Sequence, residues 1–151
     1  MNNFNLFHKK TVQLFSSVAL IIVFNACASL PEAAPIVKRY CVGQGGGFTG
    51  DYTEFSFSDD GKVYKRDFVY DRDVYYKDLA PADLEYFVNQ ITELGLEYEE
   101  INQPGNISKY IEIREKESSK NKITWGAPNF NPPEPIEKLF KELYKKLSER
   151  P

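Results

Sequence analysis

The chain has 151 residues, 42% of them hydrophobic, and a net charge of −3 from 19 basic and 22 acidic side chains. That length supports one hydrophobic core rather than two, and a mildly acidic balance of mixed signs lacks the basic footprint of a nucleic-acid-binding protein, so no nucleic acid is expected as a partner. His8 is the only histidine, and Cys27 and Cys41 are the only cysteines, which leaves little material for nucleophilic catalysis or metal binding.

The N-terminus reads as an export signal. Lys9 and Lys10 give a positive start, and Val18, Ala19, Leu20, Ile21, Ile22, Val23 and Phe24 form an apolar run too short to span a bilayer and stay there. Ala26 then precedes Cys27. A cysteine directly after a small residue resembles the lipobox of bacterial lipoproteins, although Phe24 and Asn25 stand where its commonest form has leucine and a small residue. The resemblance implies cleavage before Cys27, acylation of its sulfur and attachment to the lipid bilayer, with the outer membrane as the expected destination. A plain signal peptide or a single N-terminal anchor helix is the alternative. On the lipoprotein reading, residues 1–26 are the leader, 27–35 a small-residue and proline tether, and 36–150 a single domain.

Cleavage removes His8 and also Lys9 and Lys10, so 17 basic residues would face 22 acidic ones and the charge would become −5. The mature chain then has no histidine for a Ser-His-Asp or Cys-His device or for a metal site. With Cys27 acylated, Cys41 has no partner for an internal disulfide and reads as a small buried strand residue. No catalytic residue, metal ligand or cofactor is expected.

The domain begins with a strand at 36–42, with Val37, Arg39 and Cys41 on one side and Tyr40 and Val42 on the other. A glycine-rich run at 43–50 interrupts it. Alternation at 52–58 sets Phe55 and Phe57 on one face, and Asp60-Gly61 then turns the chain into a strand at 62–69. Residues 70–77 are polar and aromatic, and either extend that strand or cover the sheet. Leu84, Phe87, Val88, Ile91 and Leu94 make a helical stripe behind Pro81, stopped by Gly95 with Leu96 folding back. Residues 97–100 are an edge strand or a polar loop, and Pro104-Gly105-Asn106 is a turn. A second hairpin pairs 107–115 with 122–125 around a turn at 118–121. The last helix carries the stripe Ile136, Leu139, Phe140, Leu143, Tyr144 and Leu147. The order β-β-β-α-β-β-α predicts an α+β fold: an antiparallel sheet of four to five strands with two helices packed on one face.

Gly45, Gly46, Gly47, Phe48, Thr49 and Gly50 call for a physical reason. A phosphate loop would be followed by a helix, and here a β-rich acidic segment follows. Positive φ in a tight link between strands accounts for the glycines, with Phe48 expected to plug the core from that link. Gly46-Gly47-Phe48-Thr49-Gly50 after a first strand resembles the signature of emfourin-like proteins, small inhibitors of thermolysin-like metalloproteases such as protealysin. The order of the later elements is similar too, through the helix at 84–94, Pro104-Gly105 with Tyr110, the strand at 122–125 and the helix at 135–147. The chain also looks like small lipoproteins of Bacteroidetes-type bacteria. The emfourin-like resemblance implies a protein partner, an extracytoplasmic metalloprotease, and no enzymatic activity of the chain's own.

Tyrosine is abundant, and on a rigid sheet it suits protein recognition. Tyr110 and Glu112 lie opposite Ile111 and Ile113, and are therefore expected outside. The binding-loop candidates are the glycine segment, Tyr70, Tyr75 and Tyr76, and the turn at Pro104, Gly105 and Asn106. The acids Asp59, Asp60, Asp67, Asp71, Asp73 and Asp78 read as solvated surface. The function expected from these features is a membrane-anchored envelope lipoprotein with a protein-binding domain; a purely structural envelope lipoprotein is the alternative.

Overall fold

The computed structural model describes residues 37–116 and 118–150. The leader, the tether and Cys27 lie outside the described residues. The fold is α+β, with a seven-stranded sheet rather than four or five strands. In chain order the strands are β1 (Lys38–Gly46), β2 (Asp51–Ser58), β3 (Lys62–Asp67), β4 (Arg72–Asp78), β5 (Asn102–Gln103), β6 (Ile107–Glu115) and β7 (Ser118–Trp125). The helices are α1 (Pro81–Glu93) and α2 (Glu134–Ser148).

The spatial order is β4-β3-β2-β1-β6-β7-β5, and every neighbouring pair is antiparallel except β5 with β7. The two strands beyond expectation are the edges. The unplaced aromatic segment becomes β4, and a two-residue β5 forms just after the polar stretch at 97–100. The glycine run does not interrupt β1 either. Gly43, Gln44, Gly45 and Gly46 continue the ladder between β2 and β6, opposite Glu54 to Asp51 on one side and Tyr110 to Ile107 on the other. Likewise β7 starts at Ser118, so the second hairpin turns tightly at Lys116, whose φ is 57°, and not over 118–121.

Period-two alternation puts Tyr40, Val42, Phe55, Phe57, Ile111, Ile113, Ile123 and Trp125 on one face, where the helical stripes meet them. Tyr40 stacks on Phe57 at 4.9 Å, Phe87 of α1 reaches Phe57, and Phe140 of α2 meets Trp125 edge-on at 5.2 Å. Leu143 and Leu147 are fully buried. The close of α1 follows the glycine stop: Gly95 has a φ of 62°, and the Leu96 N–H donates to the Ile91 carbonyl at 3.2 Å.

Candidate protein-binding surface

The face of the sheet away from the helices is a polar network rather than a bare tyrosine platform. Tyr110 and Glu112 were expected outside, and they do sit on this face, but only 4% and 6% of their surfaces are exposed. The reason lies in β1. Gly43 stands between Glu54 of β2 and Tyr110 of β6, and it has no side chain. The Tyr110 ring lies across it, so near that a Cβ at Gly43 would come within 2.3 Å of the ring. From there the Tyr110 hydroxyl donates to Glu54 Oε2 at 2.5 Å.

Arg114 completes the arrangement. Its guanidinium donates to both Glu54 oxygens at 3.0 Å and to Glu112 Oε2 at 2.8 Å. Lys122 lies 3.5 Å from Glu112 and 4.0 Å above the Tyr110 ring. Two acids and two bases thus neutralise one another over the buried Cys41. Burial and the Glu54 hydrogen bond push the Tyr110 hydroxyl well above its usual range, and burial pushes the Cys41 thiol up as well. Burial also works against the charged forms of Glu112 and Arg114, but their mutual hydrogen bonds prevail, lowering the Glu112 carboxyl and raising Arg114. The acids expected to be solvated include one that is not: Asp73 is largely covered and pairs with Arg39 and Arg66.

The turns at one end of the sheet tell a different story. β1 ends, β2 begins, β3 ends and β6 begins at that end, so the 47–50 turn, the 68–71 turn and the 104–106 link come together there. Gly46, Gly47 and Gly50 have φ of 115°, 75° and 68°, the left-handed region where an L side chain is strained. The Gly47 N–H donates to the Asn106 carbonyl at 2.6 Å, docking the first turn on the link. Ser108 Oγ accepts from the Gly105 N–H and donates to the Gly105 carbonyl, each at 3.1 Å. Asp67 Oδ1 accepts from the N–H groups of Val69 and Tyr70, which fixes the 68–71 turn. All three connections are therefore held by hydrogen bonds.

What they carry is apolar. Contrary to expectation, Phe48 does not plug the core: it is fully exposed, because the turn projects past the last ladder pair, Gly46 with Asp51, and cannot fold its side chain back. Val69 and Tyr70 are 84% and 72% exposed, and Phe68, Tyr52 and Ile107 stand partly out as well. The Tyr52 and Phe68 rings approach to 6.3 Å and tie β2 to the second turn.

Of the candidate residues, Gly45, Gly46, Gly47, Phe48, Thr49 and Gly50 join Pro104, Gly105 and Asn106 through the Gly47–Asn106 hydrogen bond, and Tyr70 stands at the same end of the sheet on the 68–71 turn. Tyr75 lies elsewhere, edge-on to Tyr64, while Tyr76 packs on Phe55, donates to the Ser148 carbonyl at 3.4 Å and lines a cleft that reaches Gly50 and Val69. Phe68, Val69 and Ile107 were missed, although apolar residues between Asp67 and Asp71, both turn formers, were a readable signal.

Among the described residues no group of three or more metal-type ligands is clustered, and no helix is long and apolar enough to cross a membrane. Neither a family model nor a curated protein matches the chain.

Proposed function

We propose that this chain is a lipid-anchored envelope protein whose domain binds another protein through the turn end of its sheet. One observation carries the reading: Phe48, Phe68, Val69 and Tyr70 are exposed on turns that hydrogen bonds hold in place. Exposed apolar groups are unfavourable in water, several at one end of a molecule mark an interaction surface, and aromatic side chains dominate binding energy at interfaces. A surface ordered before contact loses little conformational freedom on association.

The emfourin-like pentapeptide suggests the class of partner, a thermolysin-like metalloprotease. An inhibitor needs no catalytic group of its own, only a stiff surface that blocks the protease, and turns of this kind fit that requirement. Full-length chain in detergent, titrated against a panel of thermolysin-like proteases, is expected to inhibit at least one of them at micromolar concentration. A panel left fully active would remove the protease from the proposal. Absence of any partner at the turn surface as well would favour a structural envelope lipoprotein.

A further inference from the structure

The ladder between β2 and β3 stops early. It runs only from Phe55 with Lys65 to Phe57 with Val63. Yet β2 begins at Asp51 and stays paired with β1 throughout, and β3 continues to Asp67 paired with Arg72 of β4. The β3–β4 hairpin therefore peels away from β2, leaving unpaired strand edges inside the sheet. A cleft of about 550 Å³ opens there, lined by Tyr52, Lys65, Arg66, Phe68, Val74 and Tyr76 among others. That volume falls within the roughly 300–1,000 Å³ of ordinary ligand sites.

The lining has two characters. Lys65 pairs across with Phe55 and with Val74, so these side chains share the helix-facing side. Lys65 forms no ion pair among the described residues, and its ammonium lies 6.0 Å from the Phe55 ring. Arg66, by contrast, is already held by Asp71 and Asp73. Tyr52 and Phe68 form an apolar wall toward the other side.

We propose that an extended segment of a partner protein inserts between β2 and β3 as a further strand. It sets an acidic side chain toward Lys65 and an apolar one toward Tyr52 and Phe68. The proposal rests on the protein-binding reading above and narrows it to one recognition mode. Main-chain groups on an open strand edge are satisfied best by another strand, and a strand's side chains alternate between faces, so one acidic and one apolar position follow from the lining. Main-chain complementarity favours a peptide over a small molecule, which could meet few of those groups.

The test pans a displayed heptapeptide library on immobilised full-length chain and measures the enriched peptides by calorimetry. Enriched sequences are expected to alternate acidic and apolar residues. Methylating alternate backbone nitrogens of a bound peptide should weaken it about tenfold or more, because it removes main-chain donors. Lys65→Glu and Lys65→Gln should weaken binding, the first more than the second, while Tyr75→Ala leaves it unchanged. N-methylation acts on the peptide, so that arm holds even if a Lys65 variant fails to fold. Peptides indifferent to N-methylation and to Lys65 would overturn the strand mode. If those same peptides were lost on Phe48→Ala, binding at the turns would stand without the cleft. If no peptide is enriched, the cleft proposal falls. Self-association that competes with the peptides would assign the cleft to a second copy and likewise overturn it.

Discussion

Glu54 shows what a single residue is worth in this sheet. The residue is only 2% exposed on a face without a helix, and Tyr110 and Arg114 supply the donors that make the burial tolerable. Arg114→Met would leave buried Glu54 with the Tyr110 hydroxyl as its side-chain donor and Glu112 with Lys122 at 3.5 Å, each without the guanidinium that neutralises it. It is expected to cost about 3–5 kcal/mol at neutral pH, read by urea denaturation. That penalty should shrink in acid, where the Glu112 carboxyl protonates.

Glu112 gives the wild type a pH dependence of its own. The folded-state pKa of Glu112 lies below its unfolded value, so its contribution is fully present above the unfolded carboxylate range. It is lost as pH falls through the lower, folded value. Stability that rises on acidification through that window would contradict the geometry. Gly43→Ala tests the same network from beneath: the new Cβ would strike the Tyr110 ring and displace its hydroxyl from Glu54. A loss of roughly 1–3 kcal/mol is expected, from overpacking and the broken hydrogen bond together.

At the scale of elements, the sequence was most legible where period and burial agreed. Phe55 with Phe57, Ile111 with Ile113, and both helical stripes took the faces that their spacing required. β4 was illegible for a physical reason. It is an edge strand whose ladder with β3 shifts register between Val63 and Tyr64, so its residues show no simple alternation. The continuation of β1 through Gly43 was hidden too, because glycine's usual role as a turn former obscures its use as a seat for a neighbour's ring. The burial of Tyr110 and Glu112 follows from that seat, which period-two alternation could not reveal.

The turns separate stability from recognition. Gly46→Ala combines a φ of 115° with a Cβ only 2.4 Å from the Asn106 carbonyl oxygen, and should destabilise by about 1–3 kcal/mol in thermal or urea unfolding. Phe48→Ala, two residues on, should change stability by no more than about 0.5 kcal/mol because the ring touches no core. A large loss of stability in Phe48→Ala would mean that the ring packs inward after all.

For the whole molecule, the proposal joins an N-terminal lipid anchor to a domain that presents one end of its sheet. Cys27→Ser is expected to leave the precursor uncut and without label from radioactive fatty acid. Normal cleavage and no label in the wild type would detach the domain from the membrane. The most direct test places a photoreactive benzophenone side chain at position 48 or at Lys138 on the solvent side of α2, in the full chain expressed in its native cells. The account predicts a discrete cross-linked protein adduct from position 48 and none from Lys138, with both variants unfolding at the wild-type midpoint. No adduct from position 48, or the same adduct from both positions, would contradict it.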